Sequence, residues 1–143
     1  MKRSQFGLLL FLLILLAFVP KDRDPIEKLI SSLEKWSDTN PQEKVYLHTD
    51  KPYYVVGDTI WFKAYTVIGP QHQLSALSGA LYVELFNEAD SLTESLKLPL
   101  TAGMAKGSIV LADSIIKEGN YRIRAYTQWM RNAGPDYFYD KVF

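Results

Sequence analysis

The residues with most chemical potential lie together in HTDKPYYVVGDTIWFKAY, from His48 to Tyr65. This stretch holds a histidine, two aspartates, two lysines and four tyrosines or tryptophans. Carboxylate, imidazole and ammonium groups at close spacing are the raw material of acid–base catalysis. The same residues are equally what two β-strands and a tight connection require. Asp50, Lys51 and Pro52 read as a turn, in which Asp accepts local backbone hydrogen bonds and Pro fixes φ. Gly57 and Asp58 read as the left-handed bend that returns the chain into the next strand. Turn-making is the reading the spacing favours.

Other candidate chemistry is thinner. His48 and His72 are the only histidines, and neither has further ligands at close spacing, so no metal site is expected. Ser32 and Lys35 have the S-x-x-K spacing of serine acyl enzymes, but no S-D-N or K-T-G partner follows. The acid pairs Asp22 with Asp24 and Glu84 with Glu88 read as solvated charges. The glycines are isolated turn residues and form no phosphate loop. Absence of cysteine excludes a thiol nucleophile, a Cys-based zinc site and a lipid-modified cysteine. No cofactor and no catalytic residue is expected. The aromatics offer binding instead: Trp61, Tyr65, Tyr82, Phe86, Tyr126 and Trp129 could line a platform for sugar or peptide, with Trp61, Tyr65 and Trp129 the ones to test. Aromatics also pack well on half-buried strands without any ligand.

These residues must be positioned by a short chain. Its 143 residues leave room for one domain plus a targeting segment, and 48% apolar content is that of a globular protein. Sixteen basic residues balance sixteen acidic ones, which disfavours a nucleic-acid partner. Lys2 and Arg3 precede an apolar run over residues 6–19. As a helix that run rises only about 21 Å against a hydrocarbon core of about 30 Å. It fits a secretory signal, with a short membrane anchor as the alternative, over residues 1–20. Membrane contact is expected only through residues 6–19.

Residues 21–42 are expected to form an amphipathic helix and linker that packs on the following domain or on a neighbour. Asp24 is the candidate N-cap, Pro25 the first helical position, and Ile26, Leu29, Ile30 and Leu33 recur at helical spacing through about Trp36. From residue 43 to 143 the period changes to two. Val45 and Leu47 alternate with Tyr46 and His48; Ile60, Phe62 and Ala64 with Trp61, Lys63 and Tyr65; Leu81, Val83 and Leu85 with Tyr82, Glu84 and Phe86. Further strands are expected at 95–100, 106–111, 120–129 and near the end, with glycines punctuating the runs. Seven or eight short strands predict an all-β antiparallel sandwich. Ending on Val142 and Phe143, the chain reads as the N-terminal part of a longer protein.

With the strands placed, VYLHTDKPYYVVGDTIWFKAY resembles the start of the macroglobulin-type domain of the α2-macroglobulin superfamily. That hallmark is a strand, T-D-K-P-x-Y, then G-[DQ]-T-[IV] opening a strand of aromatic and basic residues. Thr49, Asp50, Lys51, Pro52, Tyr54, Gly57, Asp58, Thr59 and Ile60 fill it. GALYVELFNEAD and IKEGNYRIRAY continue the likeness, which spans about residues 43–143. The arrangement is most similar to large envelope proteins of Gram-negative bacteria that carry this domain near the N-terminus.

The resemblance implies an Ig-like macroglobulin sandwich without catalytic residues. Protease trapping in the superfamily uses a bait region and usually a Cys-Gln thioester, both missing here, so an endopeptidase-inhibitor role would attach by homology alone. The expectation is a non-enzymatic, exported structural or interaction module in the periplasm, outer membrane or cell surface. Its partners would be neighbouring domains of a longer chain or other envelope proteins. A protease, or a glycan or peptide on an aromatic sheet face, are the alternatives.

Overall fold

The computed structural model describes residues 24–143. The expected signal or anchor over residues 1–20, and Asp22, lie outside the described residues. Among the described residues no helix is long and apolar enough to cross a membrane. The chain divides into two compact units, one ending at Thr39 and the other running from Asn40 to Phe143.

In the first unit, helix α1 spans Pro25–Thr39. The Asp24 carboxylate accepts the Ile26 N–H at 3.0 Å, which satisfies a backbone donor left over at the helix start, and Pro25 needs none. The helix continues past Trp36 because the Thr39 hydroxyl donates back to the carbonyls of Lys35 and Trp36 at 2.9 and 3.1 Å. Ser32 likewise donates to the Lys28 backbone carbonyl at 2.8 Å, an ordinary bond to the preceding turn of the helix.

The second unit contains eight strands in chain order: β1 (Glu43–Thr49), β2 (Thr59–Ile68), β3 (Gln73–Leu74), β4 (Ala80–Phe86), β5 (Leu92–Pro99), β6 (Met104–Val110), β7 (Arg122–Thr127) and β8 (Tyr139–Val142). They form two antiparallel four-stranded sheets. In the first, β1 pairs with β2, whose other edge pairs with β6 and then with β3. In the second the order is β5-β4-β7-β8. The fold is a β-sandwich, as the period-two pattern predicts.

The alternation explains why the sheets stack. Val45, Leu47, Ile60, Phe62, Ala64, Ala105 and Ile109 line the inner face of the first sheet and are buried. Leu81, Val83, Leu85, Ile123 and Ala125 oppose them from the second, all buried. Burying each large side chain contributes about 1.5–3 kcal/mol. One inward position must stay bare. A Cβ on Gly107 would lie 2.7 Å from the Phe62 ring and 2.8 Å from a Leu98 methyl, so glycine lets the sheets close there.

Three details depart from the sequence reading. β5 begins at Leu92 rather than at 95, because a register shift beside Leu85 and Phe86 lets the hairpin pair earlier. The two-residue β3 was not expected; residues 73 and 74 pair only because β6 leaves that end of β2 free. Two short 3-10 turns, Met130–Asn132 and Pro135–Tyr137, fill the connection from β7 to β8.

Candidate functional site

The bend between β1 and β2 is built from the polar residues that first suggested chemistry. The Asp50 carboxylate accepts the Tyr54 hydroxyl at 2.6 Å and the Trp61 N–H at 3.1 Å. Tyr54 in turn accepts the Lys51 N–H at 3.1 Å. Asp58 accepts the Lys51 ammonium at 3.0 Å and the Val55 N–H at 3.4 Å. Gly57 takes a φ of 94°, and the chain is clamped to the strand end beyond β6 by Gly57 N–H to Leu111 O and Leu111 N–H to Asp58 O. Thr49 donates to the Lys51 carbonyl and accepts the Lys141 ammonium. Thr59 opens β2 opposite Val110.

Electrostatics agree with a structural role. The hydrogen bond from Tyr54, followed by the Trp61 N–H, holds the Asp50 carboxyl below its ordinary value. The Lys51 hydrogen bond, then the Val55 N–H, does the same for Asp58. Burial, then the Asp50 carboxylate, pushes the Tyr54 hydroxyl up. A carboxylate held low stays charged and keeps accepting these bonds, and a phenol raised in pKa stays a donor, so both shifts follow from the bonds that make the bend. His48 stands on the exposed face of β1. Among the described residues no three His, Cys, Asp or Glu side chains converge as metal ligands.

The six candidate platform aromatics divide among three places. Trp61 and Tyr65 share the outer face of β2, with Trp61 60% exposed. Tyr82, Phe86 and Tyr126 stand on the outer face of the second sheet. There Tyr126 stacks between Tyr82 and Phe138, with centroid separations of 5.4 and 4.3 Å. Only 9% of Tyr126 remains exposed, because Phe138 from the β7–β8 connection covers it. Burial, then the hydrogen bond to Glu84, pushes the Tyr126 hydroxyl up to about 12. Glu84 accepts that hydroxyl at 2.8 Å and so is a bonded acceptor rather than the solvated charge expected. Nearby, Arg122 and Arg124 are both paired to Asp140, and Arg122 also to Asp90. Trp129 is elsewhere: its indole N–H donates to the Pro41 carbonyl at 2.7 Å, beyond the Glu43 end of β1. Trp61 sits at the other end, where its carbonyl accepts the Asp50 N–H. Trp61 and Tyr65 therefore share a surface that Trp129 does not.

The sequence reading overlooked Glu43. This carboxylate is 1% exposed and accepts three hydroxyls: Ser75 at 2.5 Å, Ser78 at 2.6 Å and Thr127 at 2.6 Å. It thereby ties β1 to the β3–β4 connection and to β7 in the opposite sheet. A parity signal existed, since Glu43 is in phase with the inward Val45 and Leu47.

A cleft of about 390 Å³ opens beside the bend, lined by Tyr53, Val55, Val56, Ile116, Tyr121 and Phe143 among others. Its size lies within the small-molecule range, and Lys117 and Glu118 are the charged residues of its otherwise largely apolar and aromatic lining.

No family model matches the chain, and no curated protein matches it. Among solved structures, Bifidobacterium dentium β-glucuronidase complexed with coumarin-3-O-glucuronide is similar to it at TM-score 0.42 and 12% identity, over 73% of this chain and 18% of that one. The present chain thus spans less than a fifth of that enzyme's length, and likeness at this level carries no argument about activity.

Proposed function

We propose that this chain is a non-enzymatic, exported, macroglobulin-like module that serves a cell-envelope protein as a structural and interaction unit. One observation carries the reading. Asp50, Lys51, Tyr54 and Asp58 bond to one another and to the local backbone, so the hallmark stretch acts as a brace. The same residues fill the macroglobulin hallmark, and a braced sandwich with exposed side-chain faces suits contact with other molecules. Export rests on the apolar run at 6–19 behind Lys2 and Arg3.

The test is to express the whole chain in a Gram-negative host, fractionate the cells, and assay the purified protein for ester, peptide and glycoside hydrolysis and for inhibition of endopeptidases. The expected result is recovery in the envelope or periplasmic fraction, with neither turnover nor inhibition. Cytoplasmic recovery would overturn export. Turnover abolished by Asp50→Asn, or stoichiometric protease inhibition, would overturn the non-enzymatic interaction reading.

A further inference from the structure

The two sheets present different outer faces. On the second, the arginines are neutralised by Asp90 and Asp140. On the first, β1 contributes Lys44, Tyr46 and His48, β2 contributes Trp61, Lys63 and Tyr65, and β6 contributes Lys106. No strand position on this outer face is Asp or Glu. The exposed Asp50, one residue past β1, shares a shallow depression with His48, Trp61 and Lys63, where its carboxylate is engaged by the Tyr54 hydroxyl and the Trp61 N–H. Register places His48 opposite Lys63 and Lys63 opposite Lys106, a basic row crossing three strands. Tyr46 and Tyr65 form the next row on one side, and Trp61 stands on the other. Among the described residues Lys44, Lys63 and Lys106 have no carboxylate partner; the Lys63 ammonium lies 5.1 Å from the Tyr65 ring centroid.

Like charges directly opposite one another on a sheet are destabilising, and nothing in the core requires this row. From it we infer that the outer face of the first sheet is a docking platform for an acidic polysaccharide. Its carboxylates would lie on Lys63 and Lys106, and its pyranose rings on Trp61 and Tyr65. Adjacent strands are about 4.8 Å apart and alternate residues about 7 Å, so the charged row and its aromatic flanks form a flat patch on the order of a few sugar units across.

The chemistry selects among anions. Extended peptides join sheets through free backbone edges, which in this sheet are the outer edges of β1 and β6; the face between them offers side chains only. Flat rings beside ammonium groups suit the C–H faces and carboxylates of uronic acids. Single-stranded nucleic acid also stacks on aromatics in basic grooves; preferring a saccharide over it rests on the exported reading above.

The test uses the whole chain in neutral detergent, titrated by calorimetry with oligogalacturonate, its methyl ester, polyglutamate and a single-stranded oligothymidylate. Oligogalacturonate should bind, more weakly as salt rises. The uncharged ester and polyglutamate should bind at least about tenfold less tightly, given ordinary energies for charged and aromatic contacts. The double variant K63E/K106E should lose binding, and Trp61→Ala should weaken it about three- to tenfold, both with an unchanged urea unfolding midpoint to within the error of the measurement. Absence of oligogalacturonate binding, equal affinity for the ester, polyglutamate or oligothymidylate, or unimpaired binding by K63E/K106E would each overturn the inference. Failure here with the chain still recovered in the envelope sinks this inference alone; cytoplasmic recovery with uronate binding intact sinks export alone.

Discussion

Strand β1 has a carboxylate network at each end, and the two are built from the same kind of bond. At the Glu43 end the donors are hydroxyls from residues 32, 35 and 84 positions away, and the carboxylate is buried. At the Asp50 end the donors lie 4 and 11 positions away and the group is exposed. Sequence distance and burial together set what each network can do. The Glu43 network joins both sheets from a position shielded from bulk solvent; the Asp50 network shapes one connection that water can also solvate.

The comparison breaks most directly at Glu43. Glu43→Ala leaves three hydroxyls without their acceptor and should destabilise the sandwich by about 2–4 kcal/mol in urea unfolding. Glu43→Gln keeps the shape and one acceptor oxygen and should cost less, about 1–2 kcal/mol. A loss below about 1 kcal/mol for Glu43→Ala would mean that the hydroxyls find other partners and that the two ends are alike. The next effect in size belongs to the same end. Trp129→Phe removes the indole donor to the Pro41 carbonyl while keeping an aromatic ring, for an expected cost of about 1 kcal/mol. If Trp129→Phe left stability unchanged but abolished binding of a sugar or peptide, Trp129 would return to the platform residues from which the structure separates it.

Tyr54→Phe tests the opposite end and should have a smaller global effect than either. Removing the hydroxyl frees Asp50 of its shortest bond, so the Asp50 carboxyl should move up toward its ordinary 3.8, read by carbon NMR titration. Hydrogen exchange should quicken at the Lys51 amide, which loses its acceptor, while amides of β4 and β7 stay protected. Exchange quickening throughout the sandwich would show that the bend supports the whole fold, as the Glu43 end does.

The same contrast marks what could be read from residues alone. Period-two alternation placed Val45, Leu47, Ile60, Phe62, Leu81, Val83 and Ile123 inward because a strand's side-chain direction is local. The Asp50-to-Asp58 brace was legible as turns for the same reason, since its partners lie within a few residues. For Glu43 parity marks only the inward position; its network was not legible, because nothing local announces that Ser75, Ser78 and Thr127 will converge on it. Tyr126 illustrates a second limit: its parity is outward, and only the return of Phe138 across the sheet buries it. Grouping Trp129 with Trp61 failed similarly, as strand order rather than residue type decides which aromatics share a surface.

The smallest expected effect concerns Lys51, and it has a definite pH signature. The Lys51 ammonium holds the Asp58 carboxyl below its ordinary 3.8 in the folded protein. A carboxyl whose folded pKa is depressed contributes stability above its unfolded pKa and loses that contribution as pH falls through the folded value. Lys51→Met removes the charge and keeps much of the stem. The gap in thermal midpoint between wild type and Lys51→Met should therefore be small but present near neutral pH, and should shrink in high salt. It should then close as pH falls below 3.8 and Asp58 takes up its proton in the folded protein. A gap that persists at the acid end would assign the contribution of Lys51 to contact with the Tyr54 ring, 5.8 Å from the ammonium. In that case the exposed end of β1 would resemble the buried end more closely, with shape rather than charge carrying it.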